Sequence, residues 1–121
     1  MATILIVEDN KPLNQLYAEV LRMSGFDILQ AANCKEAVEC LQQAVPEIIV
    51  LDMLLPDGNG QSVISYVRET LDLQKTHIIA VSGFQGDVSE PDSLGIDHFL
   101  VKPVAIPTLV DCVDRILNHK K

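Results

Sequence analysis

Five side chains have the types and the spacing to do chemistry: Glu8, Asp9, Asp52, Ser82 and Lys102. Each is the first polar residue, or next to it, after a short apolar run. Glu8 and Asp9 close Ile4-Leu5-Ile6-Val7, Asp52 closes Ile48-Ile49-Val50-Leu51, Ser82 follows Ile78 to Val81, and Lys102 follows Phe99 to Val101. A carboxylate at the end of a buried strand is costly to desolvate unless it is exposed, paired or bound to a cation. If the first and third runs are parallel neighbours, three acids meet at one edge of one sheet. Such a cluster repels itself and calls for Mg²⁺ or for raised pKa values.

The elements that would position these residues follow from a hydrophobic period that switches repeatedly between short apolar runs and helical spacing. Five strands and five helices can be placed. After the first strand, Asn10 is a candidate N-cap with Pro12 in the first turn. Leu13, Leu16, Tyr17, Val20 and Leu21 then form one helical face until Gly25. Phe26 to Ala31 alternates like an edge strand. Asn33 and Glu36 have capping-box spacing, and Ala37, Leu41 and Ala44 carry that helix to Pro46. Ile48 to Leu51 is the third strand. The Pro56-Asp57-Gly58 turn, in which Asp57 reads as a turn residue only, leads to a helix with Val63, Ile64, Val67 and Leu71 on its face. Ile78 to Val81 and Phe99 to Val101 are strands four and five. Pro107 opens a last helix with Leu109, Val110, Val113, Ile116 and Leu117 on one side, and His119, Lys120 and Lys121 suit the dipole at its end. The stretch Phe84 to Gly95 holds the fourth helix, which Pro91 and the acidic composition make short or irregular. Apolar strands separated by helices imply a parallel sheet covered on both faces, with the working residues beyond its carboxyl ends.

Composition narrows the function. The 121 residues, 48% hydrophobic, suit one domain with a core of its own. A net charge of -8 disfavours non-specific binding of this chain to nucleic acid or to anionic membrane. Cys34, Cys40 and Cys112 are odd in number and lack CxxC spacing, which points to reduced thiols and a cytoplasmic setting. The start at Met1-Ala2-Thr3 carries no signal-like region, and no run is long enough to span a bilayer. His77, His98 and His119 have no metal-like spacing.

The ordered set Ile4-Leu5-Ile6-Val7-Glu8-Asp9-Asn10, Leu51-Asp52-Met53-Leu54-Leu55-Pro56-Asp57-Gly58-Asn59-Gly60, Ser82-Gly83 and Asp97-His98-Phe99-Leu100-Val101-Lys102-Pro103 resembles the response-regulator receiver domains of two-component signalling, over essentially residues 1–121. The resemblance implies an α/β, flavodoxin-like (βα)5 three-layer sandwich with a parallel five-stranded sheet of order 2-1-3-4-5. It implies that Asp52 is the phospho-acceptor and nucleophile, charged by a histidine kinase or histidine phosphotransfer protein. Asp9, Asp52 and the Leu54 backbone carbonyl are then the Mg²⁺ ligands, with Glu8 acting directly or through water. Ser82 and Lys102 contact the incoming phosphoryl oxygens, Gly83 leaves room for it, and Ser82 and Phe99 take the places of the switch residues. Phe99 also fits a plain core role. The resemblance further implies a cis Lys102-Pro103 bond. Leu54 and Phe84 take the places that influence dephosphorylation, and two bulky apolar groups there predict a long-lived phosphoryl group.

On this reading the chain is no enzyme in the ordinary sense, but a phosphoprotein that assists its own phosphorylation and dephosphorylation. It acts on a downstream protein as a monomer or a phosphorylation-dependent dimer, and the start at Met1 and the basic tail favour a stand-alone receiver. The alternative is a pseudo-receiver, an interaction module that never takes phosphate. A flavodoxin-type cofactor binder needs a phosphate cradle after the first strand, where Glu8-Asp9-Asn10-Lys11-Pro12 would repel one. A metal-dependent phosphohydrolase needs a second acid two residues after Asp52, where Leu54 stands.

Overall fold

The computed structural model describes residues 2–83 and 95–118. Its order is β1 (Thr3–Val7), α1 (Lys11–Met23), β2 (Asp27–Ala31), α2 (Cys34–Gln43), β3 (Ile48–Asp52), a two-residue hairpin of β4 (Leu54–Leu55) and β5 (Gly58–Asn59), α3 (Gln61–Glu69), a 3-10 turn (Leu71–Leu73), β6 (His77–Ser82), β7 (His98–Val101) and α4 (Ile106–Asn118). The main sheet is parallel throughout, in the order β2-β1-β3-β6-β7. Counting only its own strands, this is the expected 2-1-3-4-5, and the fold is flavodoxin-like. The expected fourth helix lies outside the described residues.

The unbroken apolar runs are explained by two cores, one on each face of the sheet. Successive strand residues point to opposite faces, so Leu5, Val7, Ile49, Leu51, Ile78 and Ala80 enter the core under α2 and α3. Ile4, Ile6, Ile48, Val50, Ile79 and Val81 enter the core under α1 and α4. Each fully buried Ile, Leu or Val contributes about 1.5–3 kcal/mol. A polar residue at any of these twelve positions would break one core or the other.

The helices start where side chains can take up their free amides. Asn10 Oδ1 accepts from Leu13 N at 3.0 Å, and Asn33 Oδ1 accepts from Glu36 N at 2.8 Å. The expected capping box is only half formed: Glu36 Oε1 turns back but accepts from Ala32 N, at 2.9 Å, one residue before the N-cap. Helix α1 ends at Gly25, whose φ of +97° is the left-handed turn that favours glycine. Two expectations for the helical faces fail. Leu71 is not on α3: the helix stops at Thr70, and Leu71 sits in the following 3-10 turn with 86% of its surface exposed. Leu16 is on the rim of the α1 face and is also exposed. On α1 a buried position is taken instead by Asn14, a buried amide.

Candidate phospho-acceptor site

The carboxyl ends of β1, β3, β6 and β7 bring the predicted residues together. Glu8, Asp9 and Asp52 each offer a carboxylate oxygen within 4.8 Å of the others; Glu8 and Asp52 are buried and Asp9 is exposed. Lys102, the residue after β7, closes the group. Its Nζ donates to Glu8 Oε1 at 2.8 Å and to Asp52 Oδ2 at 2.9 Å. The second oxygen of each acid is held by a nearby amide: Asn10 N donates to Glu8 Oε2 at 3.1 Å, and Leu54 N donates to Asp52 Oδ1 at 3.0 Å. Sequence reasoning took Lys102 only as a contact for an incoming group. Its direct bridge between two acids distant in sequence is new.

The electrostatics follow from burial. Desolvation pushes the Glu8 carboxyl above its ordinary 4.5, the Lys102 and Asn10 hydrogen bonds oppose this, and the Asp52 charge adds to it. Burial alone would lower the Lys102 ammonium. The hydrogen bonds and charges of Glu8 and Asp52 more than reverse that, and its pKa is pushed up to about 12. One ammonium therefore faces three carboxylates. Hard oxygen donors with an excess of negative charge suit a divalent cation such as Mg²⁺.

Two groups that sequence reasoning missed shape this site from below. Asn14 Nδ2 donates to the carbonyls of Glu8, at 2.9 Å, and of Ala31, at 3.1 Å, while its Oδ1 accepts from Gln30 Nε2 at 2.8 Å. This ties the ends of β1 and β2 and aims Glu8. Its signal was an Asn at a core-facing helical position. Tyr17 is buried in the same helix, and burial raises its phenol, with further influence from the charges of Glu8, Lys102 and Asp52.

The other expected residues are placed as follows. Ser82 ends β6 fully buried, and its carbonyl accepts from Lys102 N at 2.7 Å. A methyl added at the neighbouring Gly83 would meet no atom of the described residues within 4 Å. The Lys102-Pro103 bond is cis, as expected. Leu54 is exposed at the rim of the site, and Phe99 is half-buried against the core under α2 and α3. Phe84 lies outside the described residues. Asp57 is more than a turn residue: its carboxylate accepts from the amides of Cys34 and Lys35 at the start of α2. His77 has a carboxylate neighbour that sequence could not show, Asp97, 3.9 Å away.

A parallel sheet of this order with an acid trio and a lysine at its carboxyl end matches a known family, and the sequence profile of the response regulator receiver domain matches residues 4–114. The chain belongs to that family. Among curated relatives of this receiver domain, the polar-differentiation response regulator DivK of Brucella anthropi is 26% identical over 118 residues, 96% of each chain. Among solved structures, the chemotaxis response regulator CheY4 of Vibrio cholerae superposes with a TM-score of 0.89 at 26% identity, covering 96% of this chain and 98% of that one. The response regulator TrrA of Thermotoga maritima, solved in complex with Mg²⁺-BeF, gives a TM-score of 0.85 at 25% identity, covering 96% and 99%. The receiver is thus a signalling domain of two-component response regulators. No helix among its described residues is long and apolar enough to cross a membrane.

Proposed function

We propose that this receiver is a phospho-acceptor switch in which Asp52 takes a phosphoryl group from a phosphohistidine of a histidine kinase or histidine phosphotransfer protein. The observation that carries the reading is the Lys102 ammonium bridging Glu8 and Asp52 beside Asp9. One oxygen of Asp52 forms the new bond to phosphorus as the donor's P–N bond breaks and its imidazole leaves as a neutral group. Phosphoryl transfer has a loose transition state with charge on the equatorial oxygens, so positioning and neutralisation are the protein's main contributions. Lys102 holds Asp52 in place before transfer and follows the negative charge onto the phosphoryl group after it. Ser82 donates its hydroxyl to a phosphoryl oxygen, beside Gly83.

Asp9, Asp52 and the Leu54 carbonyl would hold Mg²⁺, with Glu8 direct or through water. The ion supplies charge neutralisation across the transferring oxygens. TrrA was solved with Mg²⁺-BeF, which supports a divalent ion at a receiver of this fold. Drawing Ser82 and Lys102 toward the new charge vacates space that Phe99 enters, and the surface presented to a downstream protein changes. The reading is of a cytoplasmic receiver, monomeric or dimerising on phosphorylation.

The test is intact mass after incubation with acetyl phosphate and Mg²⁺. Wild type is expected to gain one phosphoryl group and Asp52→Asn none. A wild type that gains none, under conditions that modify a known receiver, would make the chain a phosphate-independent interaction module.

A further inference from the structure

Asp57 stands at the tip of the loop between β3 and α3, the loop that carries Leu54. Its Oδ1 accepts from Cys34 N at 2.8 Å and its Oδ2 from Lys35 N at 3.1 Å. Both amides belong to the first turn of α2, more than twenty residues away in sequence. Asn33 takes up only the Glu36 amide, and Glu36 reaches back to Ala32 outside the helix, so the Cys34 and Lys35 amides are left for Asp57. The two Asp57 bonds therefore cap α2 and, because they come from a distant loop, dock that loop on it.

The rest of the loop transmits that docking to the site. Leu54 pairs with Asn59 and Leu55 with Gly58 across the hairpin. Gly60 N donates to the Met53 carbonyl at 2.8 Å, and Met53 N donates to the Val81 carbonyl at 2.9 Å. A methyl at Gly60 would lie 2.9 Å from Met53 Sδ, so the base of the hairpin is closely packed. The Cys34 thiol reaches the Asn59 carbonyl at 3.5 Å, a third tie to the same turn. Leu54 N in turn holds Asp52 at 3.0 Å. A continuous set of contacts therefore runs from the first turn of α2 through Asp57 to Asp52. The Cys34 amide also holds the Asp57 carboxyl below its ordinary range, so the clasp stays charged to lower pH than a free carboxylate would.

We propose that Asp57 is a positioning residue for the metal and phosphoryl site: it docks the hairpin on α2, fixes the Leu54 carbonyl, and couples the first turn of α2 to occupancy. The inference rests on the reading of Asp52 as a metal-assisted phospho-acceptor. Coupling is reciprocal, so if the clasp favours Mg²⁺, then Mg²⁺ must favour the clasp.

The experiment compares wild type, Asp57→Ala and Asn33→Ala, all unphosphorylated, by Mg²⁺ titration calorimetry and amide hydrogen exchange. High salt screens the loss of an exposed charge. In wild type, Mg²⁺ is expected to slow exchange at the Cys34 and Lys35 amides. Asp57→Ala is expected to weaken Mg²⁺ binding about five- to tenfold and to abolish that slowing, while the Glu36 amide, held by Asn33, keeps its protection. Asn33→Ala removes a cap of α2 without touching the hairpin and is expected to leave Mg²⁺ affinity unchanged. Wild-type affinity in Asp57→Ala would overturn the proposal, as would an equal loss in Asn33→Ala, which would trace the effect to helix stability. Either result leaves the phospho-acceptor reading standing. A wild type that neither binds Mg²⁺ nor takes phosphate from acetyl phosphate removes that reading and this one together.

Discussion

The two ends of the sheet carry two ion clusters that differ in one respect: the one at the amino ends is complete and the one at the carboxyl ends is not. Below β6 and β7, Arg68 Nε and Nη2 donate to the Gly95 carbonyl, Nη1 to the Thr76 carbonyl at 3.0 Å, and Nη2 also pairs with Asp97 Oδ2 at 3.0 Å. Asp97 Oδ2 further accepts from Ile78 N at 2.7 Å. One guanidinium meets one carboxylate, three further bonds from it go to backbone carbonyls, and His77 stands 3.9 Å from the same acid. At the other end, among the described residues, one ammonium bridges two carboxylates and a third, Asp9, stands beside them. A balanced cluster needs nothing further and ties elements together. An unbalanced one leaves a demand for positive charge, which a divalent cation can meet.

The sharpest way to break this contrast is Lys102→Met. Removing the only cation among the described groups at the site is expected to slow phosphorylation by acetyl phosphate about 10²–10³-fold, measured as adduct formation over time. An unchanged rate would mean that Lys102 is only a structural tie. Arg68→Ala should act in the opposite way. It strips partners from Gly95, Thr76 and Asp97 and is expected to cost about 2 kcal/mol of stability in urea unfolding, while the phosphorylation rate of the folded fraction stays at the wild-type value.

Leu54→Asn puts an amide in place of an exposed apolar rim residue. The Asp52 phosphoryl group is expected to be lost about tenfold faster, a change of about 1.4 kcal/mol in barrier. Equal decay in both proteins would sink the water-excluding role of Leu54. The smallest effect concerns Glu8, whose folded pKa lies above its ordinary 4.5. Its contribution to stability is therefore fully present below 4.5 and is lost as pH rises through the higher folded value. Without divalent ions, wild type should lose stability relative to Glu8→Gln over that window, and Mg²⁺ should narrow the gap. A pH-independent difference between the two melting curves would remove burial of the Glu8 charge as its cause.

The same contrast separates what was legible in the sequence from what was not. The strands were legible because burial on two faces forces continuous apolar runs, and their polar ends marked Glu8, Asp9, Asp52, Ser82 and Lys102. Caps such as Asn10 and Asn33 were legible because their partners lie three residues on. The Lys102 bridge, the Asp57 clasp and the Asp97 neighbour of His77 were not, since each joins residues that only the strand order brings together. The hairpin of Leu54–Leu55 and Gly58–Asn59 is too short to show a period. Leu71 misled because i+4 spacing from Val67 continues past the point where α3 ends. Asn14 was passed over for being polar, although its three hydrogen bonds let it occupy a buried position at little cost.

Tyr17 has a practical consequence. The chain contains no tryptophan and only two tyrosines, so its native ultraviolet emission comes from phenols alone. One of these is buried in α1 within the electrostatic reach of Glu8, Lys102 and Asp52. The other, Tyr66, packs against the opposite core. Tyr17 emission is therefore expected to respond to a change of charge at the acidic end, readable without a label, with the Tyr66 phenol across the sheet as its reference.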